Sequence, residues 1–184
     1  LATEACMRVG AGKTTLAAPE GMGSVLASSL PEAMFVRSGT NHWEAPLNTS
    51  GFTAIGVGPG LGKEQVTATA LKNLLSQQVG PLVLDADALN ILAMHRDWLA
   101  ELGPNCVLTP HLGEFDRLFG PHPHWWSRLE TAQRISHEKG WTIVLKNAYT
   151  FTFSPLYPYP LVNPSGNAGL AKGGSGDVLT GMIT

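Results

Sequence analysis

Hydrophobic residues in this chain fall into short runs that glycine, proline or aspartate interrupts. Most runs are continuous rather than alternating, which is typical of strands covered on both faces. We predict strands at residues 13–19, 33–37, 52–57, 82–84, 106–109 and 142–145. Two further runs, at 149–153 and 160–163, flank a proline-rich turn and predict a hairpin.

Stretches with helical spacing of apolar residues separate several of these strands. Residues 64–79 and 128–139 each carry one apolar stripe, and residues 88–102 carry a third that we expect to break near His95. Strands that alternate with helices predict a doubly wound, mainly parallel sheet in three layers. Helical patterns also run into both ends of the chain without start or stop signals. We therefore expect one domain over residues 1–184, as a fragment that lacks N-terminal and C-terminal elements.

Composition narrows the class of protein. The chain has 184 residues, of which 43% are hydrophobic and 14% charged, with a net charge of −2. The hydrophobic fraction is enough for one core, and the net charge of the chain gives no basic surface for nucleic acid. Cys6 and Cys106 lie far apart, so we expect buried free thiols in a reducing compartment. No run has the length of a membrane span, and we predict a cytoplasmic protein without membrane contact.

A glycine-rich loop near residue 175 is the most informative motif. Gly173, Gly174 and Gly176 leave backbone amides unshielded, and a short apolar pattern with helical spacing follows. Amides of such a loop and of a helix N-terminus converge on a site for phosphate or a developing oxyanion. Asp177 lies at the helix start, where a carboxylate could cap the helix or take a proton from a hydroxyl.

Other candidate residues follow the predicted strands, at the edge of the sheet where ligands bind. For Gly58-Pro59-Gly60 we leave open a close approach to ligand and a plain tight turn. For Asp85 and Asp87 we expect a helix cap at Asp87, with Mg²⁺ binding by the pair as the alternative. His111 follows the third of these strands. Lys146 ends another, where it could bind a nucleotide phosphate or lie on the surface.

Two segments resemble known sites only superficially. Gly10-Ala11-Gly12-Lys13-Thr14 lacks the earlier glycine of a phosphate-binding P-loop, and strand-like residues follow it. We interpret it as the end of a helix that leads into a strand. His122-Pro123-His124-Trp125-Trp126 lacks a third metal ligand, and we interpret it as a surface turn with aromatic anchors.

Together, four segments resemble the ADP/ATP-dependent NAD(P)H-hydrate dehydratases of the ribokinase-like superfamily. They span nearly the whole chain and are Gly58-Pro59-Gly60-Leu61-Gly62, Asp85-Ala86-Asp87-Ala88-Leu89-Asn90, Thr109-Pro110-His111-x-Gly113-Glu114 and Asn163-Pro164-x-Gly166-Asn167-x-Gly169-x-Ala171-x-Gly173-Gly174-x-Gly176-Asp177-Val178-Leu179. A Gly-x-Gly-Asp loop alone indicates the superfamily, whereas the ordered set is specific to the dehydratases. The resemblance implies a ribokinase-like three-layer α/β/α sandwich with a mainly parallel central sheet, truncated at both ends.

The resemblance also implies roles for individual residues. Gly60, His111 and Asp177 would contact the hydrated nicotinamide nucleotide, and Asp177 would be the catalytic residue that acts on its hydroxyl. The adenine nucleotide would be contacted by Lys146, Asn147, Ala148, Tyr149, Thr150, Gly173, Gly174, Ser175 and Gly176. No protein side chain is assigned as a metal ligand. Two positions depart from the family pattern, since Leu112 replaces the usual proline and Asn147 the usual glycine.

The implied reaction is dehydration of NAD(P)H hydrate driven by ADP or ATP with Mg²⁺, a form of metabolite repair. The ring hydroxyl would be phosphorylated and phosphate would then leave. The resemblance leaves open a homo-oligomer and an NAD(P)H-hydrate epimerase, either fused or as a partner. Two alternatives stay open: a small-molecule or vitamin kinase of the same superfamily, and a nucleotide-binding module without turnover.

Overall fold

The computed structural model describes residues 1–77 and 80–184. Its N-terminal part consists of helix α1 (Ala2–Arg8), strand β1 (Thr15–Ala18), helix α2 (Met22–Ser29) and strand β2 (Met34–Arg37). The two strands pair in parallel and form a small sheet of their own. Because α1 ends before residue 10 and β1 begins at Thr15, the predicted change from helix to strand at Gly10–Thr14 is confirmed.

A six-stranded sheet with its strands side by side in chain order forms the centre of the molecule. The strands are β3 (Ile55–Val57), β4 (Leu82–Leu84), β5 (Cys106–Leu108), β6 (Thr142–Leu145), β7 (Thr150–Phe153) and β8 (Leu161–Asn163). Strands β3 to β6 are parallel, and β7 and β8 continue the sheet as an antiparallel hairpin. The predicted mainly parallel sheet with a hairpin at its end is confirmed.

The helices that follow β3 cover both faces of this sheet. They are α3 (Gln65–Ser76), α4 (Ala86–Met94), α5 (Leu112–Phe119), α6 (Trp125–Lys139) and α7 (Ser175–Ile183), with short 3-10 helices at Arg96–Glu101 and Ala168–Leu170. Because β3 to β6 advance in one direction and parallel crossovers are right-handed, α3 to α6 share one face. On the other face α7 contacts β4 and packs along α1, which completes three layers.

The core lies between the central strands and the helices that cover them. Four residues of the central strands are each 0% exposed: Leu84, Leu108, Ile143 and Leu145. This burial agrees with the continuous apolar runs, which predicted strands covered on both faces. On the opposite side of the sheet, Gly181 allows α1 and α7 to approach closely. A Cβ atom there would lie 2.0 Å from the carbonyl oxygen of Ala2.

The element boundaries differ from the prediction in a few places. Of the run 52–57, only Ile55–Val57 forms a strand, and the helix predicted over 128–139 already begins at Trp125. The helix predicted over 64–79 is α3, and the last two residues of that prediction, 78 and 79, lie outside the described residues. The predicted break at His95 is confirmed, since α4 ends at Met94 and a 3-10 helix follows.

Three predictions about exposure are wrong, one of them only in part. Strands β1 and β2 are only partly covered, because they lie outside the six-stranded sheet. Segment 122–126 is a surface turn only in part: Pro123 and His124 are exposed between two helices, but the His122 side chain is 7% exposed and the tryptophans begin α6. Cys106 is buried as expected, but Cys6 is only partly buried.

Within the described ranges, no helix has the length and apolarity needed to cross a membrane.

Candidate active site

The loops after β3 and β4 are held together through Asp85 and Asp87. The Asp85 amide donates to the Val57 carbonyl at 3.1 Å. Gly58 has φ +139, and a Cβ there would lie 1.8 Å from the Asp85 carbonyl oxygen, so only glycine fits. The Gly62 amide donates to Asp87 Oδ2 at 3.0 Å. The glycine loop after β3 is therefore a fixed part of the strand edge.

Asp87 is not the cap of α4, which corrects the sequence prediction. The residue at the N-cap position is Asp85, and it makes no side-chain capping hydrogen bond. Both aspartates turn away from the helix terminus, because Asp87 binds the glycine loop and Asp85 binds groups from distant segments. Gly60 lies between these contacts with φ +66 and open space around its α-carbon.

Asp85 is the buried centre of the site. Its side chain is 2% exposed. One carboxylate oxygen accepts a hydrogen bond from Lys146 Nζ at 2.7 Å, and the other accepts from the Thr180 hydroxyl at 2.7 Å. Lys146 follows β6 and Thr180 lies in α7, so one carboxylate ties together three separate elements.

The first turn of α7 lies directly beside this ion pair. Gly174 is its N-cap with φ +89, and no side chain caps the helix. A Cβ on Gly176 would lie 3.5 Å from Asp85 Oδ2 and 3.7 Å from Lys146 Nζ. The amides of a first helical turn have no intrahelical acceptors and carry about half a positive charge together. Lysine and helix terminus thus form one positive region.

Asp177 is the third residue of α7 and is partly exposed. In the described part of the chain its carboxylate has no hydrogen-bond or ion-pair partner within the usual distances. Gly173, on the approach to the helix, has open space around its α-carbon. An accessible carboxylate therefore stands next to a positive region, where it can accept a proton from a bound hydroxyl.

His111 begins α5 and forms a capping box. Its Nδ1 accepts from the Gly113 amide at 3.0 Å and the Glu114 amide at 3.3 Å, while Glu114 Oε2 accepts from the His111 amide at 2.9 Å. His111 Nε2 lies 3.5 Å from Glu114 Oε1, and the histidine side chain as a whole is 53% exposed. The Lys146 amide donates to the Pro110 carbonyl at 2.8 Å, which sets His111 and Lys146 on adjacent strand ends.

The turn after Lys146 forms an exposed edge of the site. Asn147, Ala148 and Tyr149 are exposed, and Thr150 begins β7. The loop after β8 approaches this turn so closely that a Cβ on Gly166 would lie 1.8 Å from the Ala148 carbonyl oxygen. No described contact joins Asn147, Tyr149 or Gly60 to the Lys146–Asp85 pair, so these residues form the rim rather than the centre.

Sequence reasoning missed the role of two residues. The sequence predicts for Asp85 only Mg²⁺ binding together with Asp87, and no predicted motif includes Thr180. Both carry a weak signal: Asp85 is charged at the end of a fully apolar strand, and Thr180 is polar on the buried side of α7. Their partners are 61 and 95 residues away in the chain, and no local pattern indicates such a pairing.

A second charged cluster lies away from this site. Arg128 binds both carboxylate oxygens of Asp116 at 2.9 and 2.6 Å, and His122 Nδ1 lies 2.9 Å from the same carboxylate. Arg128 first, and then His122, hold the pKa of Asp116 below its usual range. The cluster joins α5 to α6.

These contacts define what the strand edge can bind. A lysine and the N-terminus of α7 suit a phosphate group, and Asp177 beside them suits a hydroxyl that must lose its proton. Among the described residues, no group of three or more histidine, cysteine, aspartate or glutamate side chains could hold a metal. The partly exposed carboxylate of Asp177 is an oxygen donor of the kind that Mg²⁺ prefers.

Comparison with known proteins agrees with this geometry. The family model described as NAD(P)H-hydrate dehydratase matches residues 1–184. The bifunctional NAD(P)H-hydrate repair enzyme Nnr of Gloeobacter violaceus is 40% identical over 179 residues, which are 95% of this chain and 34% of that protein. The chain therefore spans about a third of this curated relative.

Solved structures show the same relationship. The ADP/ATP-dependent NAD(P)H-hydrate dehydratase from Bacillus subtilis, co-crystallised with ATP/Mg²⁺ and soaked with CoA, has a TM-score of 0.78 and 33% identity, covering 99% of this chain and 66% of that one. A ribokinase-like superfamily protein from Enterococcus faecalis has a TM-score of 0.78 and 29% identity, covering 99% and 63%. The predicted ribokinase-like fold is confirmed.

Proposed function

The chain belongs to the NAD(P)H-hydrate dehydratase family, and we propose that its parent protein uses ADP or ATP to convert NAD(P)H hydrate back to NAD(P)H. The observation that carries the proposal is the meeting of Lys146, the first turn of α7 and Asp177 at one strand edge. A phosphate site beside an available carboxylate is what transfer of a phosphoryl group to a hydroxyl requires.

The adenine nucleotide binds along the rim and the positive region. Lys146 and the α7 amides hold its phosphates, and the turn from Asn147 to Thr150 borders the rest of the nucleotide. Gly173, Gly174 and Gly176 supply backbone amides that have no side chain of their own beside them, and Gly173 also has open space around its α-carbon. Amides fixed in this way stabilise negative charge that develops on the transferred phosphoryl group.

Asp177 acts on the hydrate, which Gly60 and His111 help to hold. The carboxylate takes the proton of the ring hydroxyl while that oxygen attacks the terminal phosphorus, and the shortened nucleotide leaves. The C–O bond then breaks with the help of the ring nitrogen lone pair, and phosphate departs. Loss of a proton from the neighbouring ring carbon restores the double bond of NAD(P)H. Phosphorylation is needed because hydroxide is a poor leaving group and phosphate a good one.

Mg²⁺ belongs to the same proposal as a companion of the nucleotide. When bound, it would neutralise charge on the phosphates, whose oxygens are ligands that Mg²⁺ prefers. Asp177 is a partly exposed carboxylate in the first turn of α7, next to the phosphate region. Asp85 is less suited as a direct ligand, because Lys146 and Thr180 already occupy its oxygens.

The wider setting is also proposed. We assign residues 1–184 to a single dehydratase domain of a longer protein located in the cytoplasm. A fused or partner NAD(P)H-hydrate epimerase would supply the epimer on which the dehydratase acts, and the Gloeobacter violaceus relative is named as bifunctional. Homo-oligomerisation remains part of the hypothesis.

An absorbance assay tests the function directly. The intact parent protein is incubated with NADH hydrate, Mg²⁺ and either ADP or ATP, and NADH formation is followed. We expect NADH with at least one nucleotide and none without nucleotide. Accumulation of a phosphorylated small molecule without NADH would favour the kinase alternative. Nucleotide binding without any product would favour a non-catalytic module.

A further inference from the structure

Two positive groups lie unusually close together at the strand edge. Lys146 Nζ is 3.7 Å from the position of a Cβ on Gly176, in the first turn of α7. An ammonium group and a helix N-terminus repel each other, because the exposed amides of that terminus carry positive partial charge. Without a nearby anion, Lys146 would turn toward water, since its side chain is already 23% exposed.

Asp85 supplies that anion in a fixed position. Its carboxylate contacts Lys146 through one oxygen and Thr180 of α7 through the other. Its backbone is equally restrained, because its amide donates to Val57 and its carbonyl lies against Gly58. The next residue, Ala86, has φ +46, which is uncommon for a residue other than glycine. The carboxylate is therefore held rigidly between β3, β6 and α7.

We propose that Asp85 is a positioning residue, which holds the Lys146 ammonium against the first turn of α7 so that the two form one phosphate-binding unit. The inference rests on the proposed nucleotide site and adds a residue that acts through another. Asp85 does not need to touch the nucleotide. Its charge allows two positive groups to stay together, and its hydrogen bond to Thr180 fixes α7 relative to β6.

The first test is a double-mutant cycle in the full-length parent protein, with Mg-ADP binding measured by calorimetry. Asp85→Asn removes the charge and keeps the shape, and we expect about 10- to 100-fold weaker Mg-ADP binding, as for loss of a charged hydrogen bond. In a Lys146→Met background, Asp85→Asn should weaken Mg-ADP binding by less than about twofold, because the ammonium group that Asp85 positions is gone. If the affinity losses of the two single variants multiply in the double variant, the inference is overturned.

Glu101→Gln is the matched control. Glu101 also pairs with a lysine, Lys72, although its side chain is 35% exposed. It ends the 3-10 helix before β5 and thus lies at the opposite end of the strands. The change should leave Mg-ADP affinity unaltered. A purely structural role for Asp85 would instead lower the melting temperature while the affinity of the folded protein stays at the wild-type value.

A second readout needs no nucleotide and so separates this inference from the proposed function. Acetic anhydride acylates free amines, and mass spectrometry follows each lysine. In Asp85→Asn we expect Lys146 to react faster relative to exposed Lys63, whereas Glu101→Gln should accelerate only Lys72. Unchanged Lys146 reactivity would overturn the inference even if Mg-ADP binding fell. Faster Lys146 reactivity in a protein that binds no Mg-ADP would support the inference and reject the proposed function.

Thr180→Val keeps the test valid if Asp85→Asn does not fold. This change preserves the volume of the side chain and removes one of the two groups that hold the Asp85 carboxylate. We expect weaker Mg-ADP binding with a smaller loss than for Asp85→Asn, and recovery with Thr180→Ser, which keeps the hydroxyl. Equal affinities of the valine and serine variants would contradict a positioning role.

Discussion

The role of Asp177 can be tested, because a structural residue and a catalytic base predict different effects of mutation. It is the third residue of α7 rather than its N-cap, so as a structural residue it would only interact with the helix terminus. We expect Asp177→Asn to cost about 0.3–1 kcal/mol of stability for that interaction. If Asp177 is the base, turnover should fall by roughly 10²–10⁴-fold. Melting temperature, nucleotide affinity and turnover of one preparation decide it, and near-wild-type turnover would reject the catalytic role.

Asp116 provides a test of pH dependence outside the active site. Arg128 holds the pKa of Asp116 below its usual range, so the folded protein favours the carboxylate more than the unfolded chain does. The resulting stability is present above the unfolded pKa of about 3.9 and is lost as the pH falls through the lower folded pKa. Asp116→Asn should therefore reduce stability at pH 6 and flatten its loss below pH 4.

Urea unfolding between pH 6 and pH 2 measures this effect. Glu138→Gln is the control, because Glu138 pairs with Arg134 on the surface with both side chains more than half exposed. Such exposed pairs contribute little, so this variant should follow the wild-type curve. An Asp116→Asn curve parallel to the wild type over the whole range would contradict the assignment.

At the scale of elements, helix α5 combines a structural and a proposed binding role in His111. Asparagine can replace the ring as an N-cap, whereas alanine loses about 1 kcal/mol of helix stability. We expect His111→Asn to keep most of the stability and His111→Ala to lose it, while both weaken NAD(P)H-hydrate binding more than nucleotide binding. Lys146→Ala should weaken nucleotide binding more than NAD(P)H-hydrate binding. Calorimetric titrations of both ligands check this, and equal affinity losses for the two ligands in each variant would contradict separate roles of His111 and Lys146.

At the scale of the whole molecule, the site joins segments that are distant in sequence. The loop after β3, the start of α4, the end of β6 and the first turn of α7 all meet at Asp85. A ligand that bridges them stabilises the folded state alone. Mg-ADP at 100 times its Kd should therefore add about 2.7 kcal/mol to the free energy of unfolding. Scanning calorimetry at rising Mg-ADP concentrations checks this, and an unchanged Tm at saturation would contradict it.

Local patterns determined most of the secondary structure. Continuous apolar runs identified β3 to β6, because strands buried on both faces need apolar residues on each side. Strands β7 and β8, of which β7 is partly exposed and β8 exposed, were identified as a hairpin by the proline-rich turn between them. The helical spacing of apolar residues located α3 and most of α6, because this spacing also depends only on residues that are near in the chain. The pattern was less informative for β1 and β2, where a similar run lies outside the main sheet and stays partly exposed. An apolar run indicates that both faces of a segment can be buried, but it does not identify the elements that bury them.

For the candidate site, the sequence by itself determined which motifs follow the strands at one edge of the sheet and, through resemblance, the family. Only the tertiary structure decided how the site is held together. The cap of α5 by His111, the position of Asp87 on the glycine loop, and the Asp85 contacts with Lys146 and Thr180 are examples. The reason is physical. A charged side chain selects its partner by distance and burial in the folded molecule, and these depend on the crossing of strands and helices rather than on neighbours in the chain.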